Sequence, residues 1–192
     1  PTAIADAVNG LISFLPQLTA TKAVDKSSFE PKAGQSYDLT YTLSIKNTST
    51  RNSGTKPIEV DGQTINAVVL LDELPANTTF KSAKANNSKA LVLYPLGQDK
   101  FTQQIPNDKS LINTLVVAYP QALAANATET VELVVTMNSN ISRTSISNIF
   151  SVEHGLVSNI KKTLSNEVVT IVGGSSSITN SSKDYSNILA TG

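Results

Sequence analysis

Lys22 is the residue of this sequence best placed to do covalent chemistry. In residues 18–25, Leu18, Ala20, Lys22 and Val24 share one face of an alternating strand, so Lys22 points to the apolar side. Leu164, Asn166 and Val168 share parity in the last strand, which turns Asn166 inward, and Asn148 stands between Ile146 and Phe150 in the same way. First and last strands often lie near each other in a sandwich. A buried lysine is costly unless it is paired. Burial also lowers the pKa of its amine and makes it a nucleophile. Two readings follow. In one, Lys22 snorkels at the rim and the asparagines hydrogen-bond to backbone. In the other, the Lys22 amine attacks the side-chain amide of Asn166, ammonia leaves, and an amide bond cross-links the two strands. The second reading needs an acid to shuttle the proton, and the sequence does not single one out.

The remaining candidates are weaker. His154 is the one histidine and stands beside Gly155 after a strand, which reads as a surface position. Asp72 and Glu73 follow a strand. Two adjacent acids do not supply the six or more oxygens calcium takes, so they read as solvated turn residues. No Gly-x-Ser-x-Gly elbow, phosphate loop or His-Glu-x-x-His motif occurs. A carbohydrate-active enzyme would need paired carboxylates in a cleft. The acids here are scattered, and with five Tyr, five Phe and no Trp there is little to stack on a sugar. The chain reads as a non-enzyme without cofactor.

Composition narrows the partners. Fifteen basic and fifteen acidic residues leave a formal charge of zero. There is no basic field for nucleic acid or for an anionic membrane, and near-zero charge favours self-association. The longest apolar run among the strands, residues 67–71, is far too short to span a bilayer. Cysteine is absent, so there is no disulfide, thiol nucleophile or thiolate metal site. The chain opens at Pro1 without Met, which reads as a processed, secreted protein. Six Asn-x-Ser/Thr triplets, at Asn47, Asn77, Asn86, Asn126, Asn140 and Asn180, are either chance in an Asn/Ser/Thr-rich chain or sites of N-glycosylation.

The elements that must position these residues are strands. Residues 37–49 alternate without a break: Tyr37, Leu39, Tyr41, Leu43 and Ile45 on one face, polar residues on the other. Further extended segments are expected at 65–71, 78–83, 111–119, 131–137, 146–153 and 164–172, with a hairpin from 91–94 and 101–105 about residues 95–97. Eight or nine such strands are the spacing of a β-sandwich. The expected organisation is an N-terminal arm over 1–17, a sandwich over 18–172 and a Gly/Ser-rich linker and tail over 173–192. In the arm, Ile4, Val8, Leu11, Ile12 and Leu15 fall at helical spacing, while 11–15, with Phe14, could equally be a short strand. In the tail, Ile178, Tyr185, Ile188 and Leu189 are apolar residues that a neighbouring chain could hold.

Five blocks, taken in order, resemble the conserved-repeat domain of bacterial and archaeal surface proteins catalogued as "DUF eleven". They are residues 21–26 (TKAVDK), 34–47, 68–83 (VVLLDELPANTTFKSA), 123–137 and 165–169 (SNEVV). Segments 50–63 and 84–110 are longer or more irregular than the usual repeat, and one repeat is present. The resemblance implies an all-β, Ig-like Greek-key sandwich at the cell surface of a bacterium or archaeon. It carries no catalytic residues. Two functions are expected of such a chain. One is a structural subunit of an extracellular filament or matrix, a homopolymer built from copies of itself by inter-subunit strand donation from 1–17 or 178–190. The other is an adhesin or stalk module that binds a host or matrix ligand through 50–63 and 84–108.

Overall fold

A computed structural model describes residues 17–138, 143–155 and 159–173. The arm residues from Ile4 to Leu15, the tail residues from Ile178 to Leu189, and Asn140 and Asn180 lie outside the described residues. The strands in chain order are β1 (Leu18–Val24), β2 (Ser28–Phe29), β3 (Tyr37–Asn47), β4 (Lys56–Val60), β5 (Gln63–Glu73), β6 (Thr78–Ala85), β7 (Leu91–Gly97), β8 (Lys100–Thr102), β9 (Thr114–Tyr119), β10 (Thr128–Met137), β11 (Thr144–Asn148), β12 (Ser151–Gly155), β13 (Ile160–Leu164) and β14 (Val168–Val172). One 3-10 turn, Lys109–Leu111, is capped by the Asp108 side chain.

The fold is an Ig-like β-sandwich. One sheet runs β1-β3-β10-β6, with every pair antiparallel. Its inner face carries the alternation of the sequence: Leu39, Tyr41, Leu43 and Ile45 from β3, and Val131, Leu133, Val135 and Met137 from β10, are all buried. These meet Val68 and Leu70 of β5 and Leu115 and Val117 of β9 in one core. Leu39 and Leu43 are fully enclosed, and truncating either to alanine removes about 2–5 kcal/mol. A small sheet, β11-β14-β2, closes one side.

The two irregular segments build a second core. The other large sheet runs β13-β12-β5-β4-β8-β7-β9, and β9 also pairs with β5. The strands β5, β4, β8, β7 and β9 therefore close a ring. Its inside holds Ile58, Val60, Ala67, Val69, Leu93, Phe101, Val116 and Ala118. β5 serves both cores because side chains alternate along a strand: Val68 and Leu70 face the sandwich, and Ala67 and Val69 face the small barrel. The closing contact is the short parallel pairing of β4 with β8, Glu59 opposite Lys100 and Val60 opposite Phe101. The β7–β8 turn falls at Gln98 and Asp99, with Asp99 at φ 54°, not at residues 95–97.

Four sequence expectations are corrected here. Residues 146–153 form two strands in different sheets, because the chain turns a corner at Ile149 and Phe150. The strand expected over 164–172 likewise breaks at Ser165, between β13 and β14, where the hydroxyl accepts from Phe150 N at 3.0 Å and donates to Asn166 O at 2.8 Å. His154 is fully buried within β12, not on the surface. Asp72 is fully buried in β5, not a solvated turn residue: it shares parity with Val68 and Leu70.

Candidate functional site

Three strands from three sheets bring Lys22, Asp72 and Asn148 together inside the sandwich. β1 supplies Lys22 from a buried position four residues after Leu18. β5 supplies Asp72 from the sandwich face. β11 supplies Asn148 as its last residue, where the chain is about to turn. Lys22 Nζ donates to Asp72 Oδ2 and to Asn148 Oδ1. The Asn148 amide nitrogen donates to Glu73 O at 3.1 Å, which fixes the orientation of its carbonyl toward the amine. The Tyr41 ring lies 4.5 Å beneath Nζ and the Phe150 ring 6.0 Å away, so the walls are aromatic and dry.

Electrostatics follow from that dryness. Neither the Lys22 nor the Asp72 side chain has any solvent exposure. Burial lowers the Lys22 pKa against the opposing pull of the Asp72 charge. Burial likewise raises the Asp72 carboxyl, although Lys22 pulls it the other way. Among the described residues, Oδ1 of Asp72 has no hydrogen-bond partner. The shifts move both groups toward neutrality, and an amine, a carboxyl and a primary amide share one enclosed site. That set of groups suits transfer of an acyl group from Asn148 to the Lys22 amine.

Asn166 is not the amide that Lys22 faces. It is exposed, and it holds the Lys22 backbone: Oδ1 accepts from Lys22 N at 2.8 Å and Nδ2 donates to Lys22 O at 2.9 Å. The inward reading assumed one continuous strand through 164–172, and the break at Ser165 removes that parity. Asn166 instead pins the free edge of β1 in register. Parity placed Lys22 and Asn148 on inner faces. Asp72 was missed, although its shared parity with Val68 and Leu70 was the signal for it.

The glycosylation triplets separate by environment. Asn47 is fully buried: its amide donates to Arg51 O at 2.7 Å and Leu123 O at 3.0 Å, and its carbonyl accepts from Ser49. A sugar on Asn47 has no room in this fold. Asn77 and Asn126 stand exposed in turns at φ 65° and 60°. Asn86 is exposed, with its Oδ1 taken by Thr130 N at 3.0 Å.

A second lysine site lies on the barrel side of β5. Lys56 Nζ donates to Glu153 Oε2 at 2.6 Å and Asp99 Oδ1 at 2.9 Å. Among the described residues no three His, Asp or Glu side chains converge to hold a metal ion. Nor is any helix there long and apolar enough to cross a membrane.

No family model matches the chain, and no curated protein matches it. Solved structures do resemble it. A variant of the major pilin subunit of Bacillus cereus superposes with a TM-score of 0.50 at 8% identity, over 82% of this chain and 40% of that one. The full-length major pilin SpaD of Corynebacterium diphtheriae gives 0.44 at 18% identity, over 81% and 35%. The collagen-binding domain of a Staphylococcus aureus adhesin gives 0.42 at 7%, over 81% and 97%. The chain thus spans less than half the length of the pilin subunits it matches, and its likeness to the B. cereus pilin is one of fold: an all-β sandwich of the kind found in that subunit.

Proposed function

We propose that this chain is a structural domain of a cell-surface filament or matrix, of the "DUF eleven" type, whose sandwich is locked by an amide bond between Lys22 and Asn148. The observation that carries the reading is the enclosed contact of Lys22 with both Asp72 and Asn148. The Lys22 amine attacks Cγ of Asn148. Asp72, which burial shifts toward its protonated form, gives its proton to the departing nitrogen and takes up the proton the amine sheds. The new bond joins Nζ to Cγ, the bond from Cγ to Nδ2 breaks, and ammonia leaves. Nothing is oxidised or reduced, and no cofactor is needed.

Such a bond suits a load-bearing domain. β1 begins beside Asn47 at one end of β3, and β14 ends beside Phe29, which stacks on Tyr37 at the other end. Ten residues of strand separate those ends, roughly 33 Å. Tension applied along the chain enters through β1 and leaves through β14. An amide between β1 and β11, neighbour of β14, relieves residues 23–147 of that load. Fold likeness to a pilin, zero net charge and the outer edge of β13, unpaired among the described residues, support self-assembly. In this reading residues 1–17 or 178–190 of one copy add a strand to the next. Deleting the true donor segment abolishes filaments in electron micrographs, and filaments that survive both deletions contradict the assembly model.

The adhesin reading has its own support. Segments 50–63 and 84–108, expected to be contact loops, supply β4, β7 and β8 of the small barrel. They therefore stand on a rigid frame suited to binding.

A further inference from the structure

Where the β5-β4-β8-β7-β9 ring opens, beside the start of β4 and the β7–β8 turn, a cavity of about 360 Å³ lies against the barrel core. Barrel mouths are favoured ligand positions, and this volume is at the small end of ligand sites. Its apolar lining is Val69, Leu71, Pro95 and Phe101. Its charged lining is Glu73, Asp99 and Glu153 against the single Lys56. Lys56 is already held by Glu153 and Asp99, so the mouth keeps an excess of negative charge. We infer that this mouth binds the cationic side chain of an Arg or Lys residue presented by a partner protein.

Three features select that occupant. The apolar lining suits the methylene stem of such a side chain, which long cationic residues bury along apolar surface. The carboxylate rim suits its charged head, and a guanidinium can take two oxygens of one carboxylate at once. A metal ion is disfavoured, because the acids here do not converge on a point. An anion would meet the wrong sign of charge. The inference extends the adhesin reading by naming the chemistry of its ligand. It is independent of the Lys22–Asn148 bond, which lies on the other face of β5.

Saturation-transfer NMR on the full chain, with N-acetyl-arginine methylamide as probe, tests it and tolerates a polymeric sample. The expected result is transfer onto the probe's methylene protons that weakens with added salt. Transfer should be absent for the citrulline analogue, which has the same shape without the charge. Two variants locate the site. Gly97 is open on its Cβ side, so Gly97→Phe fills the mouth without a backbone clash and abolishes transfer. Glu73→Gln weakens binding about threefold, the scale of one exposed ion pair. No transfer from the arginine probe, equal transfer to the citrulline probe, or binding unchanged in both variants overturns the inference. Failure here leaves the filament reading intact, because that reading is tested by micrographs and by mass.

Discussion

Lys22 and Lys56 lie on opposite faces of β5 and look alike at first. Each is a lysine removed from water, and each bonds two polar side chains from other segments of the chain. They differ in what surrounds the partners. Asp72 is as enclosed as Lys22, whereas the side chains of Asp99 and Glu153 are 50% and 32% exposed. At Lys22, burial dominates and lowers the amine pKa. At Lys56, burial also pulls down, but hydrogen bonds and charge from Glu153 and Asp99 outweigh it and raise the pKa. Lys22 also faces an amide carbon, which can accept a nucleophile. Lys56 faces two carboxylates, which cannot while ionised. Burial of a lysine alone therefore does not make it reactive: its acid must be dry as well, and an electrophile must be in reach.

The largest test of that contrast is Asp72→Asn. The proposed bond would join Lys22 to Asn148, residues 126 positions apart in sequence. A cross-link of that span stabilises by about 5 kcal/mol through the unfolded chain. Its loss should lower Tm by about 10–20 °C and raise the intact mass by one ammonia beyond the substitution itself. Calorimetry and mass spectrometry on the same sample check both.

Gly155→Ala probes the frame beside Lys56. A methyl group there would fall 2.1 Å from Thr55 O, and one on Gly54 would fall 1.7 Å from Gly155 O, so the two segments touch backbone to backbone. The substitution should remove about 2–3 kcal/mol in denaturant melts and leave the cross-link complete.

Asn166→Ala removes two hydrogen bonds from the Lys22 backbone. It should lower stability by about 1–2 kcal/mol and slow the appearance of the cross-linked mass after refolding without preventing it. Mass spectrometry over time separates this positioning role from participation in the reaction.

Glu153→Gln breaks an ion pair whose acid is partly solvated. Its effect should be about 1 kcal/mol or less, with no change in mass other than that of the substitution. His154, the neighbouring residue of β12, gives the weakest signal, a pH dependence. Burial, the dominant effect, lowers its pKa below the ordinary 6.5, with a smaller push from the Lys161 charge and a pull the other way from Gly155 O. The unfolded chain therefore binds the proton more readily. The His154 contribution to stability is present above about pH 6.5 and is lost as pH falls below it. Thermal melts on either side of that value should show the loss, and His154→Gln should flatten it.

Much of the sandwich and two of the three site residues were legible in the sequence. Unbroken alternation in β3 and β10 marks inner faces because a strand repeats every two residues. The same period turned Lys22 and Asn148 inward. Asp72 was hidden by its neighbour Glu73, since two adjacent acids read as a solvated turn. Asn166 was misplaced because the break at Ser165 is made by a side-chain hydroxyl bonding back to Phe150, a contact between residues 15 apart that no local pattern reveals. His154 and Gly155 read as loop residues. Gly155 is required instead by the approach of the Thr55 backbone. The small barrel left no periodic trace, because it closes through a two-residue parallel pairing between segments some forty positions apart.

The most direct measurement is tandem mass spectrometry of a proteolytic digest of the folded protein, made in a host without N-glycosylation, together with its intact mass. The account predicts a mass one ammonia below that of the plain sequence and a branched peptide joining Lys22 to Asn148. The plain mass, with Lys22 and Asn148 recovered in separate linear peptides, would contradict it.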